Sequence, residues 1–230
     1  MSDSAKGRQV RESLYKKKEE LVMYVLKYFR VDDNAEIEKF ISENGFATLI
    51  TGGEYPAATH IPIALEKNDS GEKVLRGHIA RTNPQWKTFE TNPNVLVVFL
   101  FQVHHYISSS WYDHQNVSTW NYMSVHVSGQ IKIIEGKPLY EMLARLTTKY
   151  EIVSANPCQL DSLPADYVDK QMKAIVGFEV KIEKVEASYK LSQNRDEKNL
   201  QNIIRELELL NDHNATEMAK QMSAPKKGAD

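Results

Sequence analysis

FQVHHYISSSWYDHQNVSTWNYMSVHVSG, residues 101–129, sets Tyr106, Trp111, Tyr112, Trp120 and Tyr122 among His104, His105, Ser108, His114, Thr119, Asn121 and His126. Buried polar groups cost free energy unless they meet partners. Flat rings interleaved with donors therefore read in two ways. One is a wall built to hold a planar, polar ligand. The other is a pair of core strands whose Trp and Tyr tips are satisfied. The second half, Thr119–Glu135, reads as one long strand, or as two joined at Ser128-Gly129, where a bulge or tight bend fits.

Outward from this stretch the chain is strand-rich. Val95–Val103 is a continuous apolar run and predicts a strand buried on both faces. Phe46–Thr51, Tyr55–Glu66 and Lys73–Arg81 are further strands, separated by the hairpin signals Gly52-Gly53 and Asn68-Asp69-Ser70-Gly71. Asp33 with Glu36 three residues on opens a helix that carries Ile37, Phe40 and Ile41 and stops at Gly45. Pro84–Thr91 predicts a short helix with proline in its first turn. Helices are also predicted over Pro138–Tyr150, Asp166–Lys173 and Arg195–Asp212, with a loosely alternating strand over Ala174–Ala187. Mostly antiparallel strands with helices at the edges argue for a closed or partly open β-barrel, mainly β with flanking helices.

The whole chain narrows the function classes. With 29 Lys and Arg against 31 Asp and Glu, the net charge of −2 gives no global attraction to nucleic acid or to an anionic membrane. No apolar run is long enough to span a bilayer, and no signal peptide is visible. A single cysteine, Cys158, excludes an intrachain disulfide and a cysteine-based zinc cluster. Seven histidines include no standard helical ligand pair, so no metal is expected. The chain reads as a cytoplasmic protein. Residues 1–22 form a polar extension around Lys16-Lys17-Lys18, and 222–230 read as a disordered tail.

Three short motifs carry chemistry. In Gly77–Trp86 (GHIARTNPQW), Arg81 stands at a strand end before a helix start, which suits a phosphate, or else is a surface arginine beside an ordinary cap. In Lys190–Arg195 (KLSQNR), Asn194 caps the next helix and Lys190, Ser192 and Gln193 offer donors to an anion or a ring carbonyl; capping alone also explains Asn194. In Ala58–Leu65 (ATHIPIAL), His60 interrupts an apolar strand, as a rim residue or as a ligand.

Together with MYVLKYF (Met23–Phe29), ENGFATLIT (Glu43–Thr51), HHYISSSWY (His104–Tyr112) and STWNYMSVHVSG (Ser118–Gly129), these segments resemble the ordered motif series of the PaiB-type proteins, FMN-binding negative transcriptional regulators. The resemblance runs from about Met23 to Arg195. It implies an FMN-binding split β-barrel over 23–195, related to pyridoxamine-phosphate oxidase, that forms a homodimer with the flavin at the subunit interface. A C-terminal amphipathic helix over 196–221 follows. Carried over residue by residue, Thr59 and His60 lie beside the flavin, and Ala80, Arg81 and Asn83, backed by Trp86, hold its phosphate and ribityl end. Tyr106 and Ser108 come from one loop, Trp120, Asn121 and Tyr122 from the next strand, and Gln193 and Asn194 close the pocket from the partner subunit. The chain departs from the family pattern in two loops. Gln102-Val103-His104-His105 stands for G-P-H-A, and Val117-Ser118 for V-P, so both loops lose residues that fix backbone geometry. The regulator label implies DNA as a partner, yet the last helix is on balance acidic, with Glu197, Glu206, Glu208 and Glu217 among its charges, and amphipathic. A flavin-dependent oxidoreductase or haem-degrading split-barrel enzyme is the alternative, with His60, His78 or His126 as proton donor.

Overall fold

The computed structural model describes residues 23–224. The expected extension over 1–22 and residues 225–230 of the expected tail lie outside the described residues. Eight strands are hydrogen-bonded in the order β1-β8-β4-β3-β2-β5-β7-β6, and β8 also pairs with β7. That last pairing closes six of them into a barrel and leaves two short strands, β1 and β6, outside the ring. The strands are β1 (Arg30–Val31), β2 (Phe46–Thr51), β3 (Ala57–Lys67), β4 (Lys73–Ala80), β5 (Asn94–Leu100), β6 (His105–Ile107), β7 (Thr119–Ile134) and β8 (Ile175–Lys190). Helix α1 (Asn34–Glu43) precedes β2, α2 (Gly136–Glu151) and α3 (Ala165–Lys173) separate β7 from β8, and α4 (Glu197–Leu209) and α5 (His213–Ser223) follow β8. No described helix is long and apolar enough to cross a membrane.

Alternation along each strand decides what the barrel encloses. Ala47 and Leu49 of β2, Ile63 of β3, Leu75 and Ile79 of β4, Val97 and Phe99 of β5 and Val125 and Val127 of β7 point inward and are buried. The sequence of β8 alternates badly because its phase changes midway. Phe178, Val180 and Ile182 sit opposite Ile133, Ile131 and Gly129, whereas Val185, Ala187 and Tyr189 sit opposite Val127, Val125 and Met123. Ser128 pairs with Lys184 and Gly129 with Ile182, so Glu183 is the extra residue of a bulge. Without that insertion every later side chain of β8 would face the other way. Gly129 is the required partner: a Cβ there would stand 2.0 Å from the Lys181 carbonyl oxygen.

Helix α1 begins where the sequence predicts. The Asp33 carboxylate accepts hydrogen bonds from the backbone N–H of Ala35 and Glu36, and Ile37, Phe40 and Ile41 are buried. Phe40 meets Tyr189 of β8 with ring centroids 5.3 Å apart.

Two predicted elements differ. The β5 strand is buried on one face only, because Leu96, Val98 and Leu100 belong to the outer wall and nothing among the described residues fully covers them. The last predicted helix is a helical hairpin. It breaks at Asn211, whose φ is 50°, and Asp212 then caps α5 by accepting from the Ala215 N–H. Leu200, Ile203, Ile204 and Leu207 of α4 and Ala215, Met218, Ala219 and Met222 of α5 share a second core with Val103, Ile107 and Tyr112. Met222, expected in the tail, is therefore part of that core.

A charged network lies on the outer side of β3, β4 and β8. Arg76 donates to Glu179 from Nε (2.8 Å) and Nη2 (2.6 Å) and approaches Glu66 at 3.4 Å. Arg145 of α2 grips both oxygens of Glu66, and Lys132 reaches the other oxygen of Glu179 at 2.8 Å. Burial opposes ionisation of Glu179, but the hydrogen bonds from Lys132 and Arg76 outweigh it and hold the carboxyl below its ordinary range.

Gly129→Ala should destabilise the fold by about 3 kcal/mol, read as a lower urea midpoint at unchanged slope. Because the Glu179 pKa is lowered on folding, its contribution is complete above the unfolded value of about 4.3 and is lost as pH falls through the folded one. Urea titrations on the acid side should show this loss, and Glu179→Gln should flatten it.

Candidate functional site

The carried-over residues fall into two groups. The first gathers where β3 and β4 meet the short 3-10 turn Pro84–Thr88. Asn83 caps that turn, accepting from the Gln85 N–H at 3.0 Å, and donates through Nδ2 to the Thr59 hydroxyl at 2.9 Å. Thr59 in turn donates to Gln85 Oε1 at 2.5 Å. Gln85 Nε2 reaches Leu49 O, Thr51 Oγ1 and Ala57 O, each at 3.2 Å. Gln85 is thus the buried hub of a closed amide–hydroxyl network, although the sequence marks it only as the residue after Asn83-Pro84. Ala80 ends β4 opposite Ile175. Arg81 donates from Nε to Lys173 O and from Nη2 to Ile175 O, both at 2.8 Å, so it ties the end of α3 to the barrel. Trp86 lies 5.9 Å beneath its guanidinium and donates to Arg81 O at 2.9 Å. His60, adjacent to Thr59, points to the opposite face, where its Nδ1 is 2.8 Å from the Thr48 hydroxyl.

The second group gathers where β6 meets β7. Tyr106 pairs with Trp120 across the two strands, and their rings stand edge to face at 5.8 Å. His104 approaches the same indole at 5.8 Å. Both rings remain open, with Tyr106 45% and Trp120 53% exposed. Ser108 caps the turn Ser109–Trp111 through the Ser110 N–H. Asn121 faces away from its neighbours and is fully buried at 0% exposure. Its Nδ2 donates to Ser192 Oγ at 3.0 Å and approaches Met222 Sδ at 3.4 Å, while Ser192 Oγ lies 3.1 Å from Asn121 Oδ1. That contact steadies Ser192 at a φ of 61°, a conformation unusual outside glycine. Gln193 folds onto its own turn, accepting from Leu191 N–H at 2.7 Å and donating to Tyr189 O at 2.5 Å. Asn194 caps no helix: Asp196 caps α4 instead, by accepting from the Asn199 N–H.

Tyr122 and Asn194 line a cleft of about 420 Å³. Its other walls are Tyr24, Leu26 and Phe29 ahead of β1, the loop Val117–Thr119, and Ser188, Lys190, Ser192 and Arg195 at the end of β8. The Lys190 ammonium donates to the Thr119 hydroxyl and lies 6.0 Å from the Phe29 ring. Burial, and then the Arg195 charge, push the Lys190 pKa down. Arg195 stacks on Tyr112 at 5.1 Å. The Tyr24–Phe29 wall went unassigned in the sequence because nothing local marks MYVLKYF as part of a site.

The two groups stand at opposite ends of β8. Ala80 pairs with Ile175 at its start and Tyr122 with Lys190 at its end. Along the strand those points are about 50 Å apart. Between them runs the outer wall. His60, Thr48, Val98, His126 and Glu186 form one row of strand partners across it, and the pairs Pro62–Phe46 and Leu100–Ser124 lie beside that row. Phe46 is 64% exposed there and Leu100 47%. Desolvation lowers the His126 pKa, against a smaller opposing effect of Glu186. Among the described residues no three His, Cys, Asp or Glu side chains group as metal ligands.

Residues 23–184 match the family described as "Putative FMN-binding domain". The chain is 43% identical over 201 residues to Protease synthase and sporulation protein PAI 2 of Bacillus subtilis strain 168, covering 87% of this chain and 96% of that protein. In fold it is similar to the FAD and heme binding protein of Mycobacterium smegmatis, with a TM-score of 0.55 at 15% identity, over 70% of this chain and 73% of that one. It is also similar to the flavocytochrome Anf3 of Azotobacter vinelandii, with a TM-score of 0.52 at 15% identity, over 77% and 78%. At these identities the structural likeness is one of fold.

Asn121→Leu should lower the stability of the cofactor-free protein by about 2 kcal/mol, because it leaves the buried Ser192 hydroxyl without its partner. Hydrogen exchange should show the loosening concentrated in α5 and the Leu191–Arg195 turn. An unchanged melt without flavin would remove Asn121 from this structural role.

Proposed function

Because this chain belongs to the PaiB-type family of FMN-binding split-barrel proteins, we propose that it is a cytoplasmic, homodimeric flavin-binding regulator that lowers transcription of its target genes. The flavin lies between subunits. Tyr106, Ser108, Trp120, Tyr122 and Asn194 of one subunit face His60, Ala80, Arg81 and Trp86 of the other. The observation that carries this reading is the placement of the two groups at opposite ends of β8, since a ligand touching both is met more simply across an interface than within one chain. The exposed apolar outer wall supplies the kind of surface that a second copy covers.

The residues fit a flavin in chemical type. Tyr106 and Trp120 present open faces to a flat ring. Arg81 has Nε and Nη2 committed to carbonyls, and no described group takes its Nη1, which is free for a phosphate oxygen. Thr59, Asn83, Asn121 and Gln193 are satisfied internally and serve as the frame that positions these groups. Bound FMN supplies a ring that accepts electrons, which makes the redox state of the cell a signal the dimer can carry. The regulator label gives DNA as the partner, although the net charge of −2 supplies no general attraction to it. A contact built on phosphates would weaken steeply with added salt, which a binding titration at several salt concentrations reads directly.

Visible absorption after gel filtration with FMN should show a retained flavin band in a dimer-sized peak. Arg81→Ala and Trp120→Ala should each lose it. When the two variants are unfolded together and refolded, a shared site predicts recovery at about one quarter of all sites, since each mixed dimer regenerates one intact interface site. No recovery from two folded variants would place the site within a single chain.

A further inference from the structure

We propose that the cleft between the Tyr24–Phe29 segment and the Lys190–Arg195 turn binds a phosphoryl group carried on a flat ring. Its volume of about 420 Å³ suits a small molecule. None of the described residues lining it is acidic, and two of them, Lys190 and Arg195, are cations.

Neither cation is neutralised within the described residues. Lys190 meets the Thr119 hydroxyl and the face of Phe29, and Arg195 meets the face of Tyr112. The nearby acids are engaged elsewhere. Asp113 pairs with Lys198 and takes hydrogen bonds from Asn199 Nδ2 and His114, and Asp196 caps α4 through Asn199. Glu186 pairs with Lys184 and accepts from the Met23 N–H. Two like charges that face one cleft repel, and an anion between them turns that repulsion into attraction. The rim suits an anion with several oxygens. Ser118, Thr119 and Ser188 bring hydroxyls to the same space, and Asn194 brings an amide. Phosphate, with three strong acceptor oxygens, uses such a set more fully than a carboxylate does. Tyr24, Phe29 and Tyr122 form the aromatic part of the wall and so favour a ring beside the anion. The cleft shares Tyr122 and Asn194 with the flavin site proposed above, so its FMN arm rests on that reading and places the phosphate here rather than at Arg81. Its phosphoryl group belongs either to FMN itself or to a separate phosphorylated ligand of the dimer.

The test uses calorimetric titration of the full chain in phosphate-free buffer with inorganic phosphate, phenyl phosphate, FMN and riboflavin. Phenyl phosphate should bind more tightly than inorganic phosphate. Lys190→Met and Arg195→Met should each weaken it by about tenfold or more, while Lys190→Arg retains most of the affinity. Thermal melts identify any variant that has simply unfolded, and Lys190→Arg provides the folded control. If FMN weakens in parallel and riboflavin does not, the phosphoryl group is the flavin's own. If phenyl phosphate weakens while FMN is unchanged, the site takes a separate ligand. Equal binding of phenyl phosphate to wild type and both Met variants, or none to wild type, overturns the proposal. A wild type that binds phenyl phosphate but not FMN overturns the flavin reading and leaves this one standing.

Discussion

Everything in this molecule depends on the pairing of β7 with β8, which runs from Tyr122–Lys190 to Ile134–Gly177 and closes the barrel. Neither strand could serve at this length as a regular two-face ribbon. The Glu183 bulge shifts the inward set of β8 by one residue, so that Phe178 and Val180 before it and Ala187 and Tyr189 after it all reach one core. The same shift sets Lys184, Glu186, Ser188 and Lys190 opposite Ser128, His126, Ser124 and Tyr122 on the outside. The cleft at the end of β8 exists because of that phase.

Alternation then divides neighbouring residues between two kinds of work. Trp120 and Tyr122 look outward, toward the open wall and the cleft, while Asn121 between them is buried against Ser192 and Met222. Thr59 and His60 divide in the same way, one toward Gln85 and one toward Thr48. Side chains that are adjacent in the sequence thus form a frame and a surface. A buried amide or hydroxyl that is fully satisfied fixes geometry, and an exposed ring beside it is free to bind.

The sequence was informative where local chemistry determines structure. The cap at Asp33, the apolar face Ile37–Phe40–Ile41 and the flexion point at Ser128-Gly129 were all legible, since each depends on a few adjacent residues. Family resemblance named the segments from which the proposed site is drawn. What remained hidden was set by distant partners. The Ala174–Ala187 pattern looked irregular because its bulge is defined only against β7. The break at Asn211 was masked by an apolar spacing that continues into α5. Gln85 was passed over because its three acceptors lie on β2 and β3, and Arg81 gave no sign of its ties to Lys173 and Ile175, some ninety residues away.

The ring is completed by its last strand. The Arg76–Glu179 contact joins residues 103 positions apart, and β8 must pair with β4, β7 and β1 at once. Such connections make closure an event of high contact order, which slows folding. During synthesis β4 and β7 therefore leave the ribosome with open hydrogen-bonding edges, and no local hairpin can cover both. Until residues 175–190 have emerged, the nascent chain carries two templates for pairing with another copy of itself. For this fold the hazard of aggregation is concentrated in time, in the interval before the final strand arrives.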